Sequence, residues 1–158
     1  MQNIAKQVHS ALLKSRKTVA VAESCTGGLL SGMLSSLSGS SAYLLLGIVA
    51  YSNYAKTKLL KIPASLIGHK GAVSAEVASK MAQSARRIAR ADFGIGITGI
   101  AGPSGATTTK PIGTVYIAIA TSKKTTCRRL QLRGSRSAIR TQSALKALQL
   151  LNASIHSH

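Results

Sequence analysis

Acidic residues are nearly absent from this chain. Its 158 residues include only Glu23, Glu76 and Asp92, against 21 Lys and Arg, and the formal net charge is +18. A mechanism built on paired carboxylates, or a metal site built from acidic ligands, is therefore hard to assemble. The cationic excess predicts attraction to phosphates, whether in small molecules or in nucleic acid.

Cysteine, histidine and long apolar runs are scarce as well. The two cysteines, Cys25 and Cys127, lie far apart and predict reduced thiols, and four histidines are too few for a protein-only metal cage. The longest nearly apolar run, 42–51, is too short to cross a bilayer, and residues 1–17 lack the apolar core of a signal peptide. We therefore expect a cytoplasmic protein with no membrane contact, no metal and no cofactor.

Aromatic residues are few, with no Trp and one Phe. None is interleaved with the modest basic cluster over 123–140, so base stacking on that cluster is not expected. A solvated basic surface is the favoured interpretation there, and any nucleic-acid binding is expected to be non-specific and driven by charge.

The apolar share of 45% is enough for the core of one α/β domain spanning residues 1–158. Two glycines within 93–98 predict that another element packs closely on that strand, and residues 152–158 are expected to form a frayed tail. Hydrophobic spacing predicts helices at 2–16, 26–37, 54–60, 64–69, 74–90 and 136–151, and strands at 18–22, 44–51, 93–98, 112–120 and 125–132, the last two as a hairpin with one wetter face.

One stretch, residues 19–30, organises the rest of the chain. An apolar run ends at Glu23 and is followed by hydroxyls at Ser24 and Thr26 and by glycines at 27 and 28, which predicts a strand, a tight turn and a helix. The free N–H groups of the first helical turn would favour an anion there. The alternative is that Ser24 or Thr26 simply caps the helix.

Elimination leaves a hydroxyl nucleophile with a lysine base as the chemistry best suited to this inventory. A Ser-His-Asp triad would have to recruit His69, which is expected at a helix end. Lys56 follows the second strand, and if the first two strands are neighbours its motif could meet that of residues 19–30 at one sheet edge. A desolvated lysine is neutral and can take a hydroxyl proton, although a lysine taken singly is more often an exposed helix residue. The loop 99–105 offers backbone donors for an oxyanion or phosphate, or is only a connection.

Six ordered motifs resemble a known family, the CinA C-terminal domain, in its stand-alone PncC-type form. The resemblance covers nearly the whole chain, from about residue 18 to 150. The motifs are Ala22-Glu-Ser-Cys-Thr-Gly-Gly28, Gly39-Ser-Ser41, Tyr51-Ser-Asn53 with Ala55-Lys56, His69 with Gly71-Ala-Val-Ser74, Thr98-Gly-Ile-Ala-Gly-Pro103 and Lys110-Pro-Ile-Gly-Thr-Val115.

This resemblance implies a three-layer α/β/α sandwich with a mixed sheet, and metal-free hydrolysis of nicotinamide mononucleotide to nicotinate mononucleotide and ammonia, a step of pyridine-nucleotide (NAD) salvage. It implies Ser24 as nucleophile and Lys56 as its base, with Thr26 or Ser41 as alternative nucleophiles. The implied substrate-binding residues are Thr26, Gly27, Gly28, Ser40, Ser41, Tyr51, Asn53, Thr98, Gly99, Gly102, Lys110 and Arg140. A homodimer is also expected, because a wide apolar face often finds a partner.

Some positions depart from the family pattern. Tyr54 and Ser135 stand where acids are usual, and 104–109 replaces a glycine-rich, acid-bearing stretch. Two other functions therefore stay open. One is a non-catalytic basic module that binds nucleic acid, linked to competence or DNA damage. The other is hydrolysis of a different amide or phosphorylated metabolite in the same pocket.

Overall fold

Helices cover both faces of one five-stranded sheet, and together they form one α/β domain. The structure is a computed structural model that describes residues 2–157. The elements in chain order are α1 (Gln2–Ser15), β1 (Val19–Glu23), α2 (Leu29–Ser35), a 3-10 turn (Ser40–Ala42), β2 (Leu44–Val49), α3 (Asn53–Leu60), α4 (Ala64–Lys70), α5 (Ala75–Ala89), β3 (Phe93–Gly99), β4 (Thr114–Ala120), β5 (Thr125–Gln131) and α6 (Arg136–His156).

The sheet is mixed, with strand order β2-β1-β3-β4-β5. Strand β1 runs parallel to β2 and β3, whereas β4 and β5 are antiparallel to their neighbours. The expected neighbourhood of the first two strands and the expected hairpin are both confirmed. Strand β5 carries both exposed and half-buried residues, but the alternation breaks at Arg128 and Arg129, which are both exposed, so the expected single wetter face does not run along the whole strand.

Successive side chains of the buried strands point to opposite faces of the sheet and contribute to a hydrophobic core on each face. Val19 and Val21 point toward α1, α2 and α6 and join the larger cluster there, whereas Ala20 and Ala22 belong to the cluster with α5. Small residues on the second face let α5 approach closely. A Cβ at Gly96 would lie 2.2 Å from the carbonyl oxygen of Ala78, so the prediction of close packing on this strand is confirmed.

Two boundaries differ from the sequence prediction by more than two residues, the start of α2 and the end of α6. Helix α2 begins at Leu29, because residues 26–28 form the turn that precedes it. The expected frayed tail is wrong as far as His156, since α6 continues through it and Ile155 is 9% exposed. Ile155 lies one turn after buried Leu151, so the apolar stripe of the helix extends into the tail. Within residues 2–157, no helix is long and apolar enough to cross a membrane.

Candidate active site

The candidate site lies where the carboxyl ends of three parallel strands meet. Ser24 directly follows β1, and β1 lies between β2 and β3 in the sheet. The segment after β2 and the end of β3 therefore flank Ser24 on its two sides. Its backbone N–H donates to the carbonyl oxygen of Ile97 at 3.0 Å, which extends the pairing of β1 with β3 by one residue.

Lys56 reaches Ser24 from α3. Ser52 caps that helix by accepting a hydrogen bond from the N–H of Ala55 at 3.0 Å, which fixes the first turn that carries Lys56. The Nζ of Lys56 lies 3.0 Å from the Oγ of Ser24. Ser24 is 8% exposed and Lys56 only 2%, so this contact is shielded from bulk water. The predicted meeting of the two motifs at one sheet edge is confirmed, and Lys56 is not an exposed helix lysine.

Two backbone carbonyls complete the surroundings of the Lys56 amine. Its Nζ lies 3.0 Å from the oxygen of Ala50 and 3.1 Å from the oxygen of Tyr51. Burial lowers the pKa of Lys56 below its ordinary value, because desolvation disfavours the charged form. A neutral amine has two N–H groups and one lone pair. With both carbonyls accepting N–H groups, a neutral Lys56 amine would have its lone pair left for the hydroxyl of Ser24.

The turn after Ser24 does not present an open helix N-terminus. The buried Glu23 carboxylate accepts hydrogen bonds from the backbone N–H groups of Gly28 at 3.1 Å, Leu30 at 3.1 Å and Ser31 at 2.8 Å, and from the Ser31 hydroxyl at 2.6 Å. The predicted anion site at this turn is therefore wrong, because the chain supplies the anion itself.

Neither hydroxyl caps α2 in the way that the sequence left open. The N-cap is Gly28, with φ of 96° and no side-chain cap. Ser24 faces Lys56, and the Oγ1 of Thr26 is buried with no hydrogen-bond partner among residues 2–157. The capping interpretation of both residues is wrong.

Arg140 holds the same turn from α6. Its Nε donates to the carbonyl oxygen of Cys25 at 3.2 Å and its Nη2 to that of Thr26 at 2.8 Å. The turn that carries Ser24 is thus fixed by Glu23 on one side and by Arg140 on another. Both of these donors are directed at the backbone, so in this structure Arg140 holds the turn that carries Ser24.

A cavity of about 330 Å³ opens onto Ser24 and Lys56. Five residues predicted to bind substrate line it together with the pair, namely Tyr51, Asn53, Thr98, Gly99 and Gly102. The remaining lining residues are Cys25, Ala72, Val73, Ile100, Ala101, Ser104, Gly105 and Arg136. The loop 99–105 therefore contributes directly to this cavity.

Cys25 lies beside Ser24 and also lines the cavity. Burial, the largest influence on it, raises the pKa of the Cys25 thiol to about 11. Thiols react as thiolates, so at neutral pH Cys25 is a protonated wall residue and the Ser24 hydroxyl is the better-placed nucleophile.

Sequence reasoning missed Arg136, the first residue of α6. Its Nη1 donates to the carbonyl oxygen of Gly102 at 2.6 Å and its Nη2 to the hydroxyl of Tyr51 at 2.7 Å. Apart from Lys56, it is the only cation lining this cavity within the described chain. The sequence did contain an indication of this residue. A cation in the first turn of a helix is disfavoured by the helix dipole, so an arginine there suggests a functional role.

Several residues that were predicted to bind substrate do not line the cavity that contains Ser24 and Lys56. Gly27, Gly28 and Arg140 line a separate apolar cavity against α2. Ser40 and Ser41 precede β2, at the opposite end of the parallel strands from Ser24. Lys110 donates to the carbonyl oxygen of Lys70 at 2.9 Å and does not line the Ser24 cavity. With Thr26, which is buried in the turn, their role in substrate binding stays a prediction.

Side chains that could together bind a metal ion are not grouped in the described residues. Residues 2–157 contain no group of three or more His, Cys, Asp or Glu side chains that could hold a metal ion.

Known proteins resemble this chain along nearly all of its length. Residues 1–155 match the family model of the CinA C-terminal domain. A CinA-like protein of Syntrophus aciditrophicus is 49% identical over 144 residues, covering 90% of this chain and 34% of that protein. A putative competence-damage inducible protein of Thermoanaerobacter pseudethanolicus is 48% identical over 140 residues, covering 89% of this chain and 34% of its own length. The chain thus spans about a third of the length of these relatives.

Solved structures give the same result for the fold. A CinA superfamily protein from Klebsiella pneumoniae superposes with a TM-score of 0.95 at 29% identity, covering 99% of this chain and 98% of that one. A competence/damage inducible protein from Agrobacterium tumefaciens gives 0.94 at 33% identity, with 98% and 94% covered.

Proposed function

The chain belongs to the family of the CinA C-terminal domain, and from this premise we propose that it is a nicotinamide-nucleotide amidohydrolase that uses a serine-lysine pair. The observation that carries the proposal is the 3.0 Å contact between Nζ of Lys56 and Oγ of Ser24 at the base of a cavity. A nucleophile within hydrogen-bond reach of a base of lowered pKa is the arrangement that covalent acyl transfer needs.

The reaction begins with attack on the carboxamide. Neutral Lys56 takes the hydroxyl proton as Oγ of Ser24 adds to the amide carbon, and the carbonyl electron pair moves onto oxygen. Lys56 then returns the proton to the nitrogen, and ammonia leaves as the C–N bond breaks. Water next adds to the acyl-enzyme with Lys56 again as base, and the proton returns to Ser24 as the carboxylic acid product departs.

Backbone donors for the oxyanion are available in the loop after β3. The N–H groups of Ala101 and Gly102 have no acceptor among residues 2–157, and both residues line the cavity. Backbone N–H groups next to a nucleophile stabilise the charge that develops on the former carbonyl oxygen. We propose that these two amides form the oxyanion hole.

Arg136 is the proposed partner of the substrate's 5′-phosphate. The planar guanidinium of arginine matches phosphate geometry, and this side chain is already oriented by Gly102 and Tyr51. A phosphate at this point would place a mononucleotide across the cavity from Arg136 to Ser24.

The test is release of ammonia and nicotinate mononucleotide from nicotinamide mononucleotide, with chelator present. Wild type is compared with Ser24→Ala and Lys56→Met, and Ser10→Ala, at an exposed position of α1, serves as a matched hydroxyl control. Turnover in wild type and Ser10→Ala, with loss of at least about 100-fold in both site variants, supports the proposal. Thermal unfolding checks that the variants are folded. Turnover that survives Ser24→Ala, or no turnover in wild type, overturns it.

The substrate class is tested separately. A panel of nicotinamide, its riboside and other small amides, assayed against the mononucleotide, distinguishes the proposed substrate from a different amide in the same pocket. Activity on the mononucleotide that exceeds activity on the riboside identifies a role for the phosphate.

A non-catalytic nucleic-acid module, linked to competence or DNA damage, is the competing proposal, and the net charge of +18 motivates it. It leaves the Ser24–Lys56 pair without a chemical use. Burying a lysine with lowered pKa is costly, and such groups are concentrated in functional sites. The geometry therefore favours catalysis at this edge of the sheet.

A homodimer is also proposed, through the edge strand β2. Leu45 and Val49 on this strand are 45% and 47% exposed, and β2 has a free edge in the five-stranded sheet. The unpaired backbone N–H and C=O groups of an exposed apolar edge strand can form hydrogen bonds with the same strand of a second copy. Light scattering on wild type and on a Leu45→Lys/Val49→Lys double variant tests this, with a monomeric wild type as the contradicting result.

A further inference from the structure

A cationic groove lies near the end of the strands opposite to the end that carries Ser24. It has a volume of about 580 Å³ and runs along the second half of α5. We call it the basic groove and define it by its five cations, Lys61, Lys80, Arg86, Arg87 and Arg90. No acidic residue lines it within the described chain.

The part of the groove along α5, from Lys80 to Arg90, is remote from the candidate active site, whereas Lys61 follows the helix that carries Lys56. Ala91 and Ala120 also line it, and Ala120 pairs with Gly94 near the start of β3. The start of β3 lies beside the start of β1, whereas Ser24 follows the end of β1. About five residues of strand, roughly 16 Å, separate these two ends of the strands.

The charges in the groove are not neutralised by the protein. Residues 2–157 contain two ion pairs, Lys17–Asp92 and Lys70–Glu76, and neither involves a cation of the groove. Arg86 donates only to the carbonyl oxygen of Asp92, at 3.2 Å. The C-terminus of α5 offers roughly half a negative charge, too little to balance three arginines in and just after its last turn. The groove therefore attracts an external polyanion.

The spacing of the cations suits a repeating chain of phosphates. Lys80 and Arg90 are ten positions apart on α5 and its C-cap, which is about 15 Å at 1.5 Å per residue. Measured along the axis of a duplex, this length covers roughly four phosphates of one strand, at 3.4 Å of axial rise each. A small phosphorylated metabolite would meet only part of this row.

The absence of aromatic residues decides between duplex and single strand. No Phe, Tyr or Trp lines the groove among the described residues, so unpaired bases have no surface on which to stack. Lys80, Arg87 and Arg90 are exposed, and contacts of such cations with phosphates fix the position of a duplex without carrying sequence information. We propose that the basic groove binds the phosphate backbone of double-stranded nucleic acid, independently of its sequence and of the amidase site.

The experiment measures anisotropy of a fluorescein-labelled 20-base-pair duplex of mixed sequence, between 50 and 200 mM NaCl. The groove variant is Lys80→Gln/Arg87→Gln/Arg90→Gln, which keeps Arg86 and its contact with Asp92. The matched control removes the same charge from α1 and α6, as Lys6→Gln/Lys14→Gln/Lys146→Gln, at three exposed positions. Thermal unfolding and amidase assays accompany both variants.

The groove variant is expected to lose at least about tenfold in affinity at 100 mM salt, and its slope of log Kobs against log salt should fall by about two to three units. The control should lose less than about threefold, and neither variant should change amidase activity. Equal losses in both variants would overturn the proposal, because binding would then reflect net charge alone. So would displacement of the duplex by pyrophosphate at constant ionic strength, or a wild type that does not bind.

These results are separable from the proposed amidase. Failure of duplex binding with amidase activity intact removes only the groove, and duplex binding without amidase activity removes only the enzymatic proposal.

Discussion

Replacement of Glu23 by glutamine should destabilise the protein more than its small change in shape suggests. The Glu23 carboxylate is fully buried and accepts four hydrogen bonds at the start of α2. One oxygen serves the N–H and hydroxyl of Ser31, and the other serves the N–H groups of Gly28 and Leu30. In Glu23→Gln the amide NH₂ must replace one oxygen, and it cannot accept a hydrogen bond.

The expected loss follows from which donors are left without an acceptor. With the remaining oxygen on Ser31, the N–H groups of Gly28 and Leu30 face the new NH₂. Leu30 is buried and Gly28 half-buried, so Leu30 bears the full cost of an unsatisfied donor, about 1–3 kcal/mol, and Gly28 part of it. We expect a total of about 2–3 kcal/mol, which corresponds to a fall in Tm of roughly 4–12 °C for a domain of this size.

Urea and thermal unfolding measure this loss, and Glu76→Gln is the control. Glu76 also lies in the first turn of a helix, but its side chain is 45% exposed and its partner is Lys70 at 3.1 Å. An exposed pair of this kind contributes roughly 0–1 kcal/mol. If Glu23→Gln were as stable as Glu76→Gln, the carboxylate would not be what closes α2, and the helix N-terminus would again be available to an anion.

The remaining predictions concern the reaction. Because burial lowers the pKa of Lys56, kcat/KM should rise with pH through a midpoint below lysine's ordinary value of 10.5, and a midpoint at that value in a pH-rate profile would contradict a desolvated base. Arg136→Gln should raise KM for the mononucleotide by at least about tenfold through loss of a charged hydrogen bond, with less effect on the riboside; equal effects on both would contradict phosphate binding. Cys25→Ala should retain most of the activity, and iodoacetamide at pH 7 should not inactivate wild type, because the Cys25 pKa of about 11 leaves almost no thiolate; rapid inactivation through Cys25 would refute this.

The meeting of Ser24 and Lys56, the proposed catalytic pair, was predictable because local patterns place both motifs at one sheet edge. Ser24 ends a short apolar strand and Lys56 follows another, and parallel neighbours present their carboxyl ends at one edge. The sequence also limited the alternatives, since three acids and four histidines exclude most other catalytic sets. The contact of 3.0 Å required only that the two strands be adjacent.

Other features depended on contacts that spacing does not show. Glu23 was placed correctly at a strand end, but whether its carboxylate points at the cavity or back at α2 is a question of side-chain direction. Arg136 reaches Tyr51 across 85 positions, and no local pattern specifies such a contact. The end of α6 was missed for a different reason, because the polar composition of 152–158 hid the position of Ile155 one turn after Leu151.

The hydrogen bonds between the Glu23 carboxylate and the start of α2 limit which groups could bind the phosphate of a phosphorylated substrate. The helix N-terminus nearest to Ser24 is occupied by the protein's own carboxylate, so it has no N–H groups to offer a phosphate. Lys56 must be neutral to act as a base and cannot serve as the counter-ion either. Of the cations that line the cavity in the described chain, this leaves Arg136. Its loss should therefore not be compensated by any neighbour, despite a net charge of +18 over the whole protein.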